Sequence, residues 1–234
     1  MSSRLLAVAF EANDPAQVAT FWGGLLQREA TPDPRGYLLP GSATQVGLRF
    51  VTTFTDVFAR ESAPRRLHLH LTSADPEDQR RTIEMALLLG GRHLDVGQLR
   101  EEDHVVLADP DDNAFCVIGP GNRFLAGCGH LGEVACDGGR EVGVFWHGVL
   151  GWPLVWDQDD ETAVQSPDGG TKVAWGGPPV AAKMGPNPQR FELAADDLAA
   201  EAARLVALGA SRTGERDGGM ELTDPGGNEF VVFG

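Results

Sequence analysis

An α+β fold built by duplication follows from three observations. A strand, turn, strand run that ends at Gly119 returns at Met220–Gly234, with Asp109-Pro110-Asp111-Asp112-Asn113 and Asp224-Pro225-Gly226-Gly227-Asn228 as matching turns. Proline presets φ in such turns, and Asp, Asn and Gly tolerate the left-handed region. A second echo lies upstream: Val18, Phe21, Trp22 and Leu25 match Val142, Phe145, Trp146 and Val149, each set spaced i, i+3, i+4, i+7 along one helix face. Finally, the order strand, helix, strands recurs four times, twice in each copy. Self-similarity of this kind settles architecture before any single element does.

The elements follow in order. Leu5 to Ala12 is apolar enough for a buried strand, and Asp14-Pro15 supplies an N-cap with proline at the first helical position. Strands follow at Gly36 to Pro40 and Gln45 to Val51, then an irregular stretch from Thr52 to Pro64 that contains Phe54 and Phe58. Leu67 to Thr72 alternates Leu67, Leu69 and Leu71 with His68 and His70, so both imidazoles share the face away from the leucines. Asp75-Pro76 caps a helix that Gly90-Gly91 ends, and strands follow around His93, His104 to Ala108 and Ala114 to Ile118. The second copy predicts a strand at His130 to Ala135, a helix at Arg140 to Leu150, and strands near Trp152 to Trp156, Thr162 to Gln165 and Lys172 to Trp175. Its second half adds a strand at Arg190 to Ala194, a helix at Leu198 to Leu208 capped by Asp196 or Asp197, and three closing strands. The boundaries read as a first domain at 1–120, a linker at 121–128 and a second domain at 129–234.

Composition narrows the function. The 234 residues are 42% hydrophobic, long enough for two compact domains with their own cores. A formal charge of −15 repels phosphate backbones and anionic lipid, which argues against nucleic-acid and membrane partners. The expected partner is a small molecule or a second copy of the chain in a homodimer. The N-terminus lacks the long apolar core of a secretory signal, so a cytoplasmic location is expected. Cys116, Cys128 and Cys136 are odd in number and without CxxC spacing, so no disulfide framework is implied. No nucleophile elbow, P-loop or dinucleotide fingerprint occurs.

The helix Phe145-Trp146 leading to Gly151-Trp152, the helix ending Leu208-Gly209-Ala210, and the turn Asp224 to Phe230 occur in fixed order, largely twice over. In this the chain resembles the vicinal-oxygen-chelate superfamily, which includes glyoxalase I, bleomycin-resistance proteins, fosfomycin-resistance enzymes and extradiol dioxygenases. The resemblance covers nearly the whole chain. It implies tandem domains, each of two βαβββ units whose curved mixed sheets enclose a cavity with helices outside. It leaves open whether the units pair within one copy or across the two.

In metal-dependent members a divalent cation is held by residues of the first, fifth and last strands. Carried over by position, the second copy offers His130, Arg190 and Val231, and the first offers an aliphatic residue near Ala7, then His68 and Cys116. Guanidinium is no ligand and valine has no donor, so neither copy alone holds a full set. A divalent metal, the one cofactor the resemblance admits, then requires units paired across the copies, so that His130 approaches His68 with His70 or Cys116 nearby. The resemblance therefore favours a metal-free small-molecule binder, with a metal-dependent lyase, isomerase or dioxygenase using His68 and His130 as the alternative. The ligand-binding residues expected are His68, His70, Arg190, Glu192, Phe54 and Trp175. Arg190 in place of an imidazole implies that the second cavity selects an anion or carboxylate; the plainer alternative is that Arg190 and Glu192 pair with each other or with neighbours and fill the space.

Overall fold

The computed structural model describes residues 3–53, 65–97, 102–177, 179–180 and 182–234. Phe54 and Phe58 lie outside the described residues. The order is four βαβββ units. The first is β1 (Arg4–Ala12), α1 (Pro15–Leu26), β2 (Thr31–Asp33), β3 (Gly36–Leu39) and β4 (Leu48–Thr52). The second is β5 (Leu67–Leu71), α2 (Pro76–Leu88), β6 (Arg92–His93), β7 (Val105–Ala108) and β8 (Ala114–Val117). The third is β9 (Leu131–Asp137), α3 (Arg140–Leu150), β10 (Leu154–Gln158), β11 (Glu161–Gln165) and β12 (Lys172–Gly176). The fourth is β13 (Gln189–Ala194), α4 (Leu198–Leu208), β14 (Ser211–Arg216), β15 (Gly219–Thr223) and β16 (Glu229–Phe233).

The helices begin where the sequence caps them. Asp14 accepts from Gln17 N, Asp75 from Asp78 N and Asp197 from Ala200 N, each satisfying a backbone donor that the first turn leaves orphaned. Helix α3 starts at Gly139 without a side-chain cap. Strand β2, with its exposed Thr31 and Pro32, is a short edge strand that carries no apolar alternation to announce it.

The strands assemble into two open, mixed sheets of eight. The first runs β14-β15-β16-β13-β1-β4-β3-β2 and the second β10-β11-β12-β9-β5-β8-β7-β6. Each sheet therefore joins one unit from each copy: β1 pairs antiparallel with β13 and β5 antiparallel with β9. The units pair across the copies, which answers the question that sequence left open.

The apolar core is correspondingly continuous. Val8, Phe10 and Leu48 of the first sheet, Leu69, Phe115 and Val134 of the second, and the helix residues Phe21, Trp22, Phe145 and Trp146 form one cluster, not one per copy. The two Phe-Trp pairs are buried as their spacing predicts. Their indoles do more than fill space. Trp22 Nε1 donates to Asp109 Oδ2 at 3.0 Å and Trp146 Nε1 to Asp224 Oδ2 at 3.1 Å. Both aspartates also accept from the backbone two and four residues on and from the Asn113 or Asn228 side chain, so the repeated turn is a closed hydrogen-bonded unit. Each copy's first helix is thus fastened to its own last turn, which belongs to the other sheet. Close helix packing also demands Gly143, where a Cβ would sit 1.8 Å from Thr162 Oγ1.

Candidate functional site

Alternation sends the leucines of β5 into the core and its two histidines to the opposite face, which carries no helix among the described residues. On that face of the second sheet, His70 stands opposite Glu133 of β9 and Cys116 of β8, while His68 stands opposite Ala135. The cross-copy pairing creates this group, because Glu133 belongs to the third unit and the histidines to the second. Nitrogens of His68 and His70 and the Cys116 sulfur lie within 4.8 Å of one another. The two imidazole rings are 4.7 Å apart, inclined at 60°.

Glu133 fixes the tautomer of His70. Its Oε2 lies 2.6 Å from His70 Nδ1. A carboxylate can only accept, so Nδ1 carries the hydrogen and Nε2 is left to face other partners. Burial alone would lower His70, but hydrogen bonds with Cys116 and Glu133 outweigh it and hold the group up at about 9. His68 is driven the other way, to about 4, by burial first and then by the charge on His70. One imidazole of the pair is neutral at pH 7 and the other charged.

Around this centre the face is partly apolar. Val106, Cys116, Ile118, Leu125 and Cys128 form a small separate cluster, with Leu94 and Phe124 packed on it. Leu125 and Phe124 come from the linker, so the connection between the copies lies along the face. Lys172 of β12 holds it there: Nζ donates to the Phe124 carbonyl and lies 4.2 Å from the centre of the Phe124 ring. Trp156, partly exposed, meets Phe124 edge-on at 5.7 Å.

The other residues that sequence singles out lie elsewhere. His130 faces the end of β5, its carbonyl accepting from Thr72 N at 3.0 Å, and is not brought to His68. The group that reaches the histidines from this part of the chain is Glu133 of β9, a charged residue in an otherwise apolar run, and that break in the pattern is the signal that would have found it. Trp175 is buried on the opposite face of its strand, stacked on Trp146 with ring centres 6.2 Å apart. Phe54 lies outside the described residues.

Arg190 and Glu192 occupy the equivalent face of the first sheet. There His68 and His70 are replaced by Arg190 and Glu192, Cys116 by Val231 and Glu133 by Ala7, as the matching registers show. Arg49 of β4 reaches Glu192 through Nε at 2.8 Å and also pairs with Asp33. Arg190 pairs with Glu11 at 3.4 Å and Asp217 at 3.5 Å, not with Glu192. Burial lowers the Arg190 guanidinium below its usual range, with the charge of Arg216 acting in the same direction.

This architecture and this pair of faces define a class of protein. A family model described as a glyoxalase-like domain matches residues 7–118 and again 133–233, and the chain belongs to that family. No curated relative matches. Glyoxalase I from Zea mays has a similar structure, with a TM-score of 0.66 at 15% identity, covering 99% of this chain and 92% of that one. A putative dioxygenase from Bacillus subtilis follows with a TM-score of 0.59 at 11% identity, covering 99% and 84%. At such identities the likeness is one of fold.

Proposed function

We propose that the helix-free face of the second sheet binds a small molecule through a divalent metal held by His68, His70 and Cys116. The observation that carries this reading is the mutual approach of their three ligand atoms within 4.8 Å, on the paired neighbouring strands β5 and β8. Two imidazoles and a thiolate are borderline-soft donors that suit zinc, and three protein ligands leave a fourth position open. Glu133 fits as an outer partner, since a carboxylate on the far nitrogen of a ligating imidazole fixes its orientation and raises its basicity. When bound, such a metal polarises an oxygen of a ligand placed at the open position. This chain's part is to hold the donors, to orient His70 through Glu133 and to line the approach with Trp156, Phe124 and Lys172.

A second reading keeps the small molecule and omits the metal. It is supported by the raised pKa of His70, about 9, which leaves on Nε2 at pH 7 a proton that a metal would have to displace. Metal analysis of protein purified without a histidine tag separates the two. The metal reading expects one zinc ion per chain and an affinity that falls at least about tenfold in His68→Ala and Cys116→Ser. Zinc uptake by wild type no stronger than by His68→Ala would leave the metal-free binder standing instead.

A further inference from the structure

The helix-free face of the first sheet carries two buried polar edges that have no hydrogen-bond partner among the described residues. Arg190, with its side chain 1% exposed, reaches Glu11 through Nη1. Its Nε and Nη2 make no hydrogen bond among the described residues, and Asp217, 3.5 Å from Nη2, satisfies charge without hydrogen-bond geometry. These two nitrogens form one edge of the planar guanidinium, the fork that matches the two oxygens of a carboxylate. On the same strand face two residues on, Glu192 accepts from Arg49 and Arg35 through Oε2 alone. Its Oε1 is buried without a hydrogen-bond partner among the described residues. Buried donors and acceptors are almost always hydrogen-bonded, so an unbonded guanidinium edge and an unbonded carboxylate oxygen on one face point to something that joins them.

The spacing says what that is. Residues two apart along a strand are separated by about 7 Å, a distance that one small molecule spans with a hydrogen bond at each end. At Arg190 the molecule presents a carboxylate. At Glu192 it must present a donor, because an acceptor there would face an unpaired carboxylate oxygen. We propose that this face is a second binding site, for small carboxylates that carry a hydroxyl or ammonium group on the carbon next to the carboxylate. The carboxylate lies on the Nε/Nη2 edge of Arg190 and the donor on Glu192 Oε1. The proposal does not depend on a metal at the other face.

The test titrates the full chain with lactate, alanine and acetate by calorimetry. Lactate or alanine is expected to bind at least about tenfold more tightly than acetate, which offers no donor to Glu192. A chelator and the His68→Ala substitution should leave that affinity unchanged. Arg190→Lys keeps the charge but loses the fork, and should weaken binding at least about tenfold. Should that variant fail to fold, a crystal structure of wild type soaked in lactate provides the second readout. The expected result is a carboxylate seated on the Arg190 edge. Acetate binding as tightly as lactate, or a water alone on that edge at saturating lactate, would overturn the proposal.

Discussion

The two helix-free faces share one backbone plan and opposite chemistry. In the second sheet, positions facing one another carry His70, Glu133 and Cys116, with His68 beside them. In the first, the same places hold Glu192, Ala7 and Val231, with Arg190 beside them and Arg49 where Ala174 stands in the other sheet. Paired arginines and carboxylates occupy the one face; two imidazoles and a thiol, with Glu133 and Lys172 beside them, occupy the other. Duplication copies the scaffold because the scaffold rests on core leucines, capping aspartates and indole-bound turns. It frees the outward-facing positions to diverge, since replacing them leaves those supports untouched.

If that division is right, the largest effects belong to the shared scaffold. Trp146→Ala removes a ring packed against Trp175, Phe191 and Phe230 and orphans Asp224, and it should cost about 3 to 5 kcal/mol in reversible urea unfolding. A loss under about 1 kcal/mol would show that the indole is not a structural fastening.

Next comes the contrast between faces. Glu192→Ala leaves Arg49 buried with Asp33 alone and should cost about 3 to 5 kcal/mol, as removal of one partner from a buried pair does. His70→Ala should cost less, about 1 to 3 kcal/mol, because the carboxylate it strands, Glu133, is less deeply buried than the charges around Glu192. Equal losses from parallel denaturation curves would mean that the second face is as much a structural element as the first.

The smallest effect should be the same in both copies. Asp14→Ala and Asp197→Ala each remove one helix cap, costing about 1 kcal/mol apiece, without altering metal or carboxylate binding. A change in either binding measurement would couple the scaffold to the faces in a way that this account does not provide.

Much of the scaffold was legible in sequence because its signals are local. Caps at Asp14, Asp75 and Asp197, the i, i+3, i+4, i+7 helix faces and the alternation around His68 and His70 all depend on neighbours along the chain. What was not legible depends on pairing between distant strands. Whether β5 lies beside β1 or β9 cannot be read from strands of similar pattern, and so the reading that brings His130 to His68 misses Glu133, which pairs with His70. Trp175 shows the same limit. Its ring looked free at a strand end, but its strand turns that side toward α3, where it stacks on Trp146. Arg190 and Glu192 were expected on one face and are there, yet their pairing with Glu11 and Arg49 required β1 and β4 to lie alongside.

On the proposed reading, metal binding belongs to the second face alone. Cobalt(II), which takes zinc sites and reports thiolate ligation as a charge-transfer absorption band, tests it most directly when titrated into wild type, Cys116→Ser and Arg190→Lys. The account predicts one equivalent bound with a thiolate band in wild type and in Arg190→Lys, and loss of the band in Cys116→Ser. A band that survives in Cys116→Ser, or no cobalt binding by wild type, would contradict it.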